Sequence, residues 1–290
     1  MGKISFALIG GDARQEKLAE SLSKGKNLVY TFALKKKENN VNSLREVLEK
    51  SKCILFPMPI SKNNKDLYAP FSERKITLEE IKNNKDLFKY KFIFAPGLSQ
   101  NEDKFLEGIV DGSSFIFKYC TEDFLVKNAD LTAKAAIIIA KSNLDNLKDL
   151  KILICGFGRL GKALAYNLKD DCKNLKISAR KDNDFYEIKK LGFQHINTSD
   201  IFETSGYNLI FNTIPSLIFD ENVLKSTVKD AFLIDLASKP GGADKKAVEK
   251  LKINYIHALG LPGKFYPKES GELIKDGILK IIKDKNLDIS

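Results

Sequence analysis

Two glycine-centred turns carry the residues best suited to chemistry in this chain. The first, IGGDARQ at residues 9–15, sets Gly10, Gly11 and Asp12 between a short apolar run and a stretch of helical periodicity, with Arg14 in its first turn. The second, CGFGRLGKAL at residues 155–164, spells G-x-G-x-x-G through Gly156, Gly158 and Gly161. A turn of this kind between a strand and a helix points backbone N–H groups at an anion. In the second turn each glycine has its own task. Gly156 allows the tight turn, Gly158 lets the backbone approach a pyrophosphate, and Gly161 lets the helix pack on the strand. That turn therefore reads as a dinucleotide site, with Arg159 and Leu160 counted with the glycines as cofactor-binding.

The choice of dinucleotide is read about 20 residues further on, where NAD-type domains carry an acid for the ribose. Here the chain reads Ser178, Ala179, Arg180, Lys181, with no carboxylate before Asp182. A carboxylate repels a 2′-phosphate, whereas arginine pairs with it through a planar fork. The expectation is NADP, with Ala179, Arg180 and Lys181 at its ribose; solvated basic loop residues are the alternative.

Three more turns, NTIPS (212–216), DLASKPGG (235–242) and GLPGKFYPKESG (260–271), fall where later strands should end. Ligands of doubly wound sheets sit at such strand ends. Asn212 and Thr213 are expected on the cofactor, Ser216 and Ser238 on the substrate, and Lys239 and Lys268 near the chemistry. Ordinary turn formation would explain any one of them equally well. In the first turn, Asp12 suits an N-cap. Arg14 opposes the helix dipole at a cost of about 0.3–1 kcal/mol. Gly11, Asp12 and Arg14 are therefore assigned to an anionic substrate. Asp12, Lys239 and Lys268 are the candidates for proton transfer.

The elements that must hold these turns alternate along the chain. Strands are expected near 4–9, 28–34, 53–56, 92–95 and 114–117, and helices at 13–24, 43–50 and 101–110. Thr77 and Glu80 have capping-box spacing, so a helix should begin near 77. Residues 57–76 read as a long loop. A helix over 128–145 leads to a second alternation with strands near 151–155, 174–179, 193–196, 208–212, 231–235 and 253–258. The predicted fold is α/β with two Rossmann-like domains, the second a doubly wound parallel sheet. The expected boundaries are 1–127 for a flavodoxin- or Rossmann-like substrate domain, 128–147 for a connecting helix, 148–267 for the NADP domain, and 268–290 for a helix returning to the first domain.

Composition narrows the function. The net charge of +10 is spread over lysines interleaved with acids and asparagines, as in KKKENN, with no basic run carrying aromatics. That argues against nucleic acid and suits anionic ligands. Cys53, Cys120, Cys155 and Cys172 form no CxxC pair, and His195 and His257 are the only histidines, so neither a metal site nor a disulfide framework is expected. No apolar run has membrane-span length, the N-terminal one is too short for a signal peptide, and the myristoylation pattern fails. A cytoplasmic protein is expected.

Together, IGGDARQ, GFGRLGKALA, NTIPS, DLASKPGG and GLPGKFYPKESG resemble, in order and spacing, the A subunits of dipicolinate synthase. The resemblance covers nearly the whole chain and is carried most specifically by GGDARQ with DLAS-PGG. It implies two Rossmann-like domains, a nicotinamide cofactor, partnership with a flavoprotein-like B subunit, and formation of pyridine-2,6-dicarboxylate in sporulating bacteria. Lys239 stands where that family usually has Arg, and Leu131, Thr132, Ala133, Lys134 and Ala135 replace its Pro-Thr-x-Glu-Gly. The implied activity is a dehydrogenase that aromatises a dihydropyridine dicarboxylate. Two alternatives stand beside it: a 2-hydroxyacid dehydrogenase, and a non-catalytic NADP-binding member of a complex. The first needs a histidine beside an acid. His195 falls in a predicted strand, and His257 has no assignable acid partner. Whether the chain forms a homo-oligomer is left open.

Overall fold

The side chains of one short strand already require layers on both faces of a sheet. In β1 (Ser5–Ile9), Phe6 and Leu8 enter one buried cluster while Ala7 and Ile9 enter another. A strand buried on both faces belongs in a parallel sheet whose crossover helices cover both sides. A computed structural model has this arrangement twice. It describes residues 3–25, 27–35, 41, 43–203, 206–228 and 231–289. The chain divides into two compact units, residues 1–125 with 266–290, and residues 126–265.

In the first unit β1 is followed by α1 (Ala13–Lys24), β2 (Leu28–Phe32), α2 (Leu44–Glu49), β3 (Cys53–Leu55), α3 (Leu78–Lys82), β4 (Phe92–Ala95), α4 (Gln100–Glu107) and β5 (Phe115–Lys118). All pairings are parallel, in the order β2-β1-β3-β4-β5. Strand order reverses between β1 and β3, where a flavodoxin-like sheet opens its ligand crevice. Asp12 caps α1 and Thr77 caps α3, the Thr77 hydroxyl accepting from Glu80 N at 3.0 Å. β2 ends at Phe32, short of the expected Leu34, because Ala33 adopts the left-handed conformation (φ 59°) and turns the chain. Residues 57–76 are more ordered than a plain loop. Leu67 N donates to Ile76 O (2.8 Å), Leu78 N donates to Lys65 O (2.8 Å), and Met58, Ile60, Leu67 and Ile76 are buried.

The helix expected from 128 begins earlier. α5 spans Glu122–Asn143, and the division between the units falls inside it. The second unit contains β6 (Lys151–Cys155), α6 (Arg159–Leu168), β7 (Asn174–Ala179), α7 (Asp182–Lys190), β8 (Gln194–Asn197), β9 (Leu209–Asn212), α8 (Glu221–Val223), β10 (Phe232–Asp235), α9 (Lys245–Leu251), β11 (Asn254–His257) and α10 (Leu261–Phe265). Its parallel sheet runs β11-β10-β9-β6-β7-β8, and the order reverses between β6 and β9. Renumbered within the unit and read from its other edge, this is 3-2-1-4-5-6, the dinucleotide-binding order.

After α10 the chain completes the first unit with α11 (Pro267–Asp284). Ile274, Ile278 and Ile282 join Leu18 and Leu22 of α1 in one buried cluster. Gly271 makes the close approach feasible. A Cβ there would lie 2.8 Å from Leu18 N and 3.0 Å from Arg14 O.

Candidate functional site

At the reversal point of the first sheet, Gly10 (φ 70°) and Gly11 (φ 111°) turn the chain from β1 into α1. Their N–H groups are already used. Gly10 N donates to Phe32 O (2.9 Å) and Gly11 N to Tyr68 O (2.7 Å). Asp12 caps α1, its Oδ1 accepting from Arg14 N at 3.1 Å. Arg14 then folds back on its own cap. Nε donates to Asp12 Oδ1 (2.9 Å), and Nη2 donates to Asp12 Oδ2 (2.9 Å) and to Met58 O (2.5 Å) just beyond β3. Tyr68 OH completes the carboxylate's shell at 3.2 Å from Oδ2. Arg14 is 7% exposed. The clamp expected for a substrate carboxylate is therefore occupied by an internal pair. Nη1 is the guanidinium nitrogen without a partner among the described residues.

This pairing sets the electrostatics of the turn. Burial alone would raise the Asp12 carboxyl, but hydrogen bonds from Arg14 and its charge outweigh it and hold the group below its ordinary 3.8. Burial and the adjacent Asp12 carboxylate together push the Tyr68 phenol up to about 12. Burial likewise drives the Tyr119 phenol well above its ordinary value; its hydroxyl reaches Phe56 O at 3.4 Å. The turn is thus a neutralised ion pair edged by two protonated phenols.

In the second unit the three fingerprint glycines do different things, as the motif predicts. Gly156 has φ 98°, and a Cβ there would meet Thr213 Oγ1 at 2.5 Å. A Cβ on Gly161 would lie 2.0 Å from Gly156 O, so only glycine allows α6 to start this close to the turn. A Cβ on Gly158 would meet nothing within 4 Å. The space is open at the glycine where the fingerprint motif admits a pyrophosphate. Gly158 also occupies the cap position of α6, with no side chain to compete for its N–H groups. Ala179 ends β7, and Arg180 and Lys181 follow it, both exposed. Neither side chain makes a hydrogen bond or ion pair among the described residues. The residues present therefore fit a phosphorylated dinucleotide.

The other expected cofactor contacts divide. Thr213 donates from Oγ1 to Cys155 O (2.8 Å) and so rests on the glycine turn. Asn212 is wholly buried, and its side chain serves the protein. Nδ2 donates to Asp235 Oδ1 (2.8 Å) and Ile214 O (3.2 Å), while Oδ1 accepts from Ile214 N (3.0 Å). It shapes the NTIPS turn from within instead of facing a ligand. Ser216, Ser238 and Lys239 are exposed on their turns, and Lys268 is exposed in the first turn of α11. No hydrogen bond or ion pair joins Lys268 to Asp12 among the described residues. His257, weighed for a hydroxyacid dehydrogenase, bonds through Nε2 to Ala237 O at 2.8 Å. His195 lies in β8 and stacks on Phe185 with centroids 4.7 Å apart. Among the described residues there is no cluster suited to a metal ion, and no helix is long and apolar enough to cross a membrane.

Sequence reasoning missed Asp235 and Tyr68. Asp235 ends the apolar run FLID and looks like the start of a turn. Tyr68 sits in a segment whose only signal is its prolines. Neither position advertises the partner it finds far away along the chain.

This fold and site define a class: an α/β protein that joins a Rossmann-type, dehydrogenase-like dinucleotide-binding unit to a flavodoxin-like one. Residues 146–235 match the model of the acetohydroxy acid isomeroreductase NADPH-binding domain. Residues 5–101 match the model of the N-terminal domain of the dipicolinate synthase A subunit. Over nearly its whole length the chain resembles that A subunit. It is 24% identical to the dipicolinate synthase A subunit of Bacillus subtilis (strain 168) over 97% of this chain and 96% of the relative. The crystal structure of the A subunit from Bacillus halodurans superposes with a TM-score of 0.81 at 24% identity, covering 97% of this chain and 99% of that one. A D-isomer specific 2-hydroxyacid dehydrogenase from Lactobacillus delbrueckii ssp. bulgaricus, in its NAD-complexed form, shares the fold at a TM-score of 0.57 and 11% identity, covering 97% and 98%.

Proposed function

We propose that this chain is the A subunit of a dipicolinate synthase. It oxidises a dihydropyridine dicarboxylate to pyridine-2,6-dicarboxylate, with NADP as acceptor, in the cytoplasm of a sporulating bacterium. The carrying observation is the open space at Gly158 between two sterically closed glycines, with unpaired Arg180 and Lys181 after the next strand. The likeness to the dipicolinate synthase A subunit supports the substrate, and that relative's being one component of a synthase supports a B partner. NADP supplies a hydride acceptor when bound. The substrate ring loses a hydride from one carbon and a proton from its neighbour, and so becomes aromatic.

The protein's own contributions follow from its side chains. Gly156, Gly158 and the α6 N-terminus receive the pyrophosphate, and Arg180 and Lys181 the 2′-phosphate. The Asp12–Arg14 turn takes the substrate through Arg14 Nη1. For the proton, Asp12 is the weakest of the three candidates, because a carboxyl held below 3.8 is a poor base at neutral pH. Lys239 and Lys268 remain as candidates, each able to take the proton only as the neutral amine.

The test is steady-state oxidation of a dihydrodipicolinate precursor by the purified chain, with NADP or NAD, with and without its partner. Production of reduced nicotinamide and pyridine dicarboxylate in step is the expected result. Turnover of 2-hydroxy acids instead would replace this reading. Cofactor binding with turnover only in the partner's presence would make the chain a binding component.

A further inference from the structure

We infer that Asp235 is a positioning residue that sets the two turns flanking the nicotinamide end of the cofactor crevice. This inference rests on the dinucleotide reading above. Asp235 is completely buried, yet it faces no cation among the described residues. It accepts instead from four donors. Asn212 Nδ2 (2.8 Å) and Ala237 N (3.1 Å) reach Oδ1, while Gly242 N (2.8 Å) and Tyr255 OH (3.2 Å) reach Oδ2. These donors come from the ends of β9 and β10, from the far side of the ASKPGG turn, and from β11. A buried charge is tolerated only where hydrogen bonds replace its hydration, and here the replacement is built from the turns themselves.

Each bond fixes something the crevice needs. Ala237 N and Gly242 N close the turn that carries Ser238 and Lys239. His257 Nε2 holds the same turn from Ala237 O at 2.8 Å. Asn212, oriented by Asp235, holds the N–H and the carbonyl of Ile214 and so places Thr213. Thr213 in turn sits on Cys155 O, one residue before Gly156. The packing permits no slack. A Cβ on Gly241 would lie 2.7 Å from Asp235 Oδ2, and one on Gly242 would lie 2.1 Å from Asn212 Nδ2. The 2′-phosphate residues Arg180 and Lys181 follow β7, on the other side of β6 from β9 and β10. Asp235 thus acts on the half of the crevice that the adenosine half of the cofactor does not touch.

That separation supplies the test. Binding of NADP and of 2′,5′-ADP, which carries the adenosine half with its 2′- and 5′-phosphates but neither the second phosphate of the bridge nor the nicotinamide, is measured by calorimetry on the full chain and on Asp235→Asn. Asparagine keeps the shape but offers one acceptor oxygen to donors that need two. NADP should weaken by about tenfold or more, the loss expected for a displaced charge-assisted hydrogen bond. Binding of 2′,5′-ADP should stay within about twofold, a change worth less than ~0.5 kcal/mol. Tyr255→Phe removes one donor without disturbing the packing. It should move NADP the same way by a smaller factor, and it serves if Asp235→Asn does not fold. Equal losses for both ligands, or no loss for either in a folded variant, overturn the inference. A wild-type chain that binds neither ligand overturns the dinucleotide reading and the inference with it.

Discussion

Replacing Arg14 by alanine should destabilise the first unit, and the geometry sets the size. The Arg14 side chain is 9% exposed and that of Asp12 18%. Removing one member of a buried pair typically costs about 3–5 kcal/mol because the other charge is left uncompensated. Asp12 keeps its helix N–H and Tyr68 OH as donors, so the lower end, about 3 kcal/mol, is expected. For a unit of this size that is a fall in melting temperature of roughly 6–12 °C. Arg14→Lys keeps the charge but loses the planar fork, and should recover about half or less. Asp12→Ala combined with Arg14→Ala should cost less than the sum of the single changes by about 2 kcal/mol. The pH dependence carries a sign. A carboxyl held below its unfolded value contributes stability that is complete above that value and is lost as pH falls through the lower, folded one. The difference between wild type and Arg14→Ala should therefore be complete at neutrality and shrink as pH falls, beginning where the variant's Asp12, raised by burial without its partner, takes up a proton and ending below the ordinary 3.8, where the wild-type carboxyl does. Urea denaturation across this range tests it. Strict additivity in the double variant, or a gap that persists unchanged in strong acid, would refute the pairing argument.

The cofactor turn gives a contrast within four residues. Gly158→Val should leave the melting temperature near wild type and abolish NADP binding, since its side chain enters open space that the proposed pyrophosphate would fill. Gly161→Ala should instead unfold or severely destabilise the second unit, because its Cβ would strike Gly156 O, and circular dichroism should register that before any ligand is added. Arg180→Asp should weaken NADP by about 10- to 100-fold, one lost charge-assisted pair with repulsion added, and spare or improve NAD; tighter NAD than NADP binding in the unaltered chain would end the claim.

Much of this was legible because it is local. Glycine spacing between a strand and a helix names its turn, and the capping residues Thr77 and Asp12 mark helix starts that the backbone follows. What stayed hidden depends on partners distant in sequence. Arg14 looks like a free cation until Met58 and Tyr68, far along the chain, are folded around its pair with Asp12. Asn212 looks like a ligand contact until Asp235 arrives on the neighbouring strand to take its amide. A sequence read one turn at a time shows which side chains could bind, but it does not show which ones the protein has already used.

The return of α11 to the first unit has a consequence for how the molecule is made. Synthesis delivers Val126–Phe265 whole before it delivers the helix that the first sheet still lacks. Domains tend to fold in the order they emerge, yet here the unit begun first is finished last. Until Ile274, Ile278 and Ile282 arrive, Leu18 and Leu22 on α1 lack their cover, and the face of α1 that α11 packs on stays open to water. The nascent chain therefore carries a completed nucleotide domain inside an unfinished one. A cut near residue 266 would leave the nucleotide domain's own chain intact and remove this helix from the first.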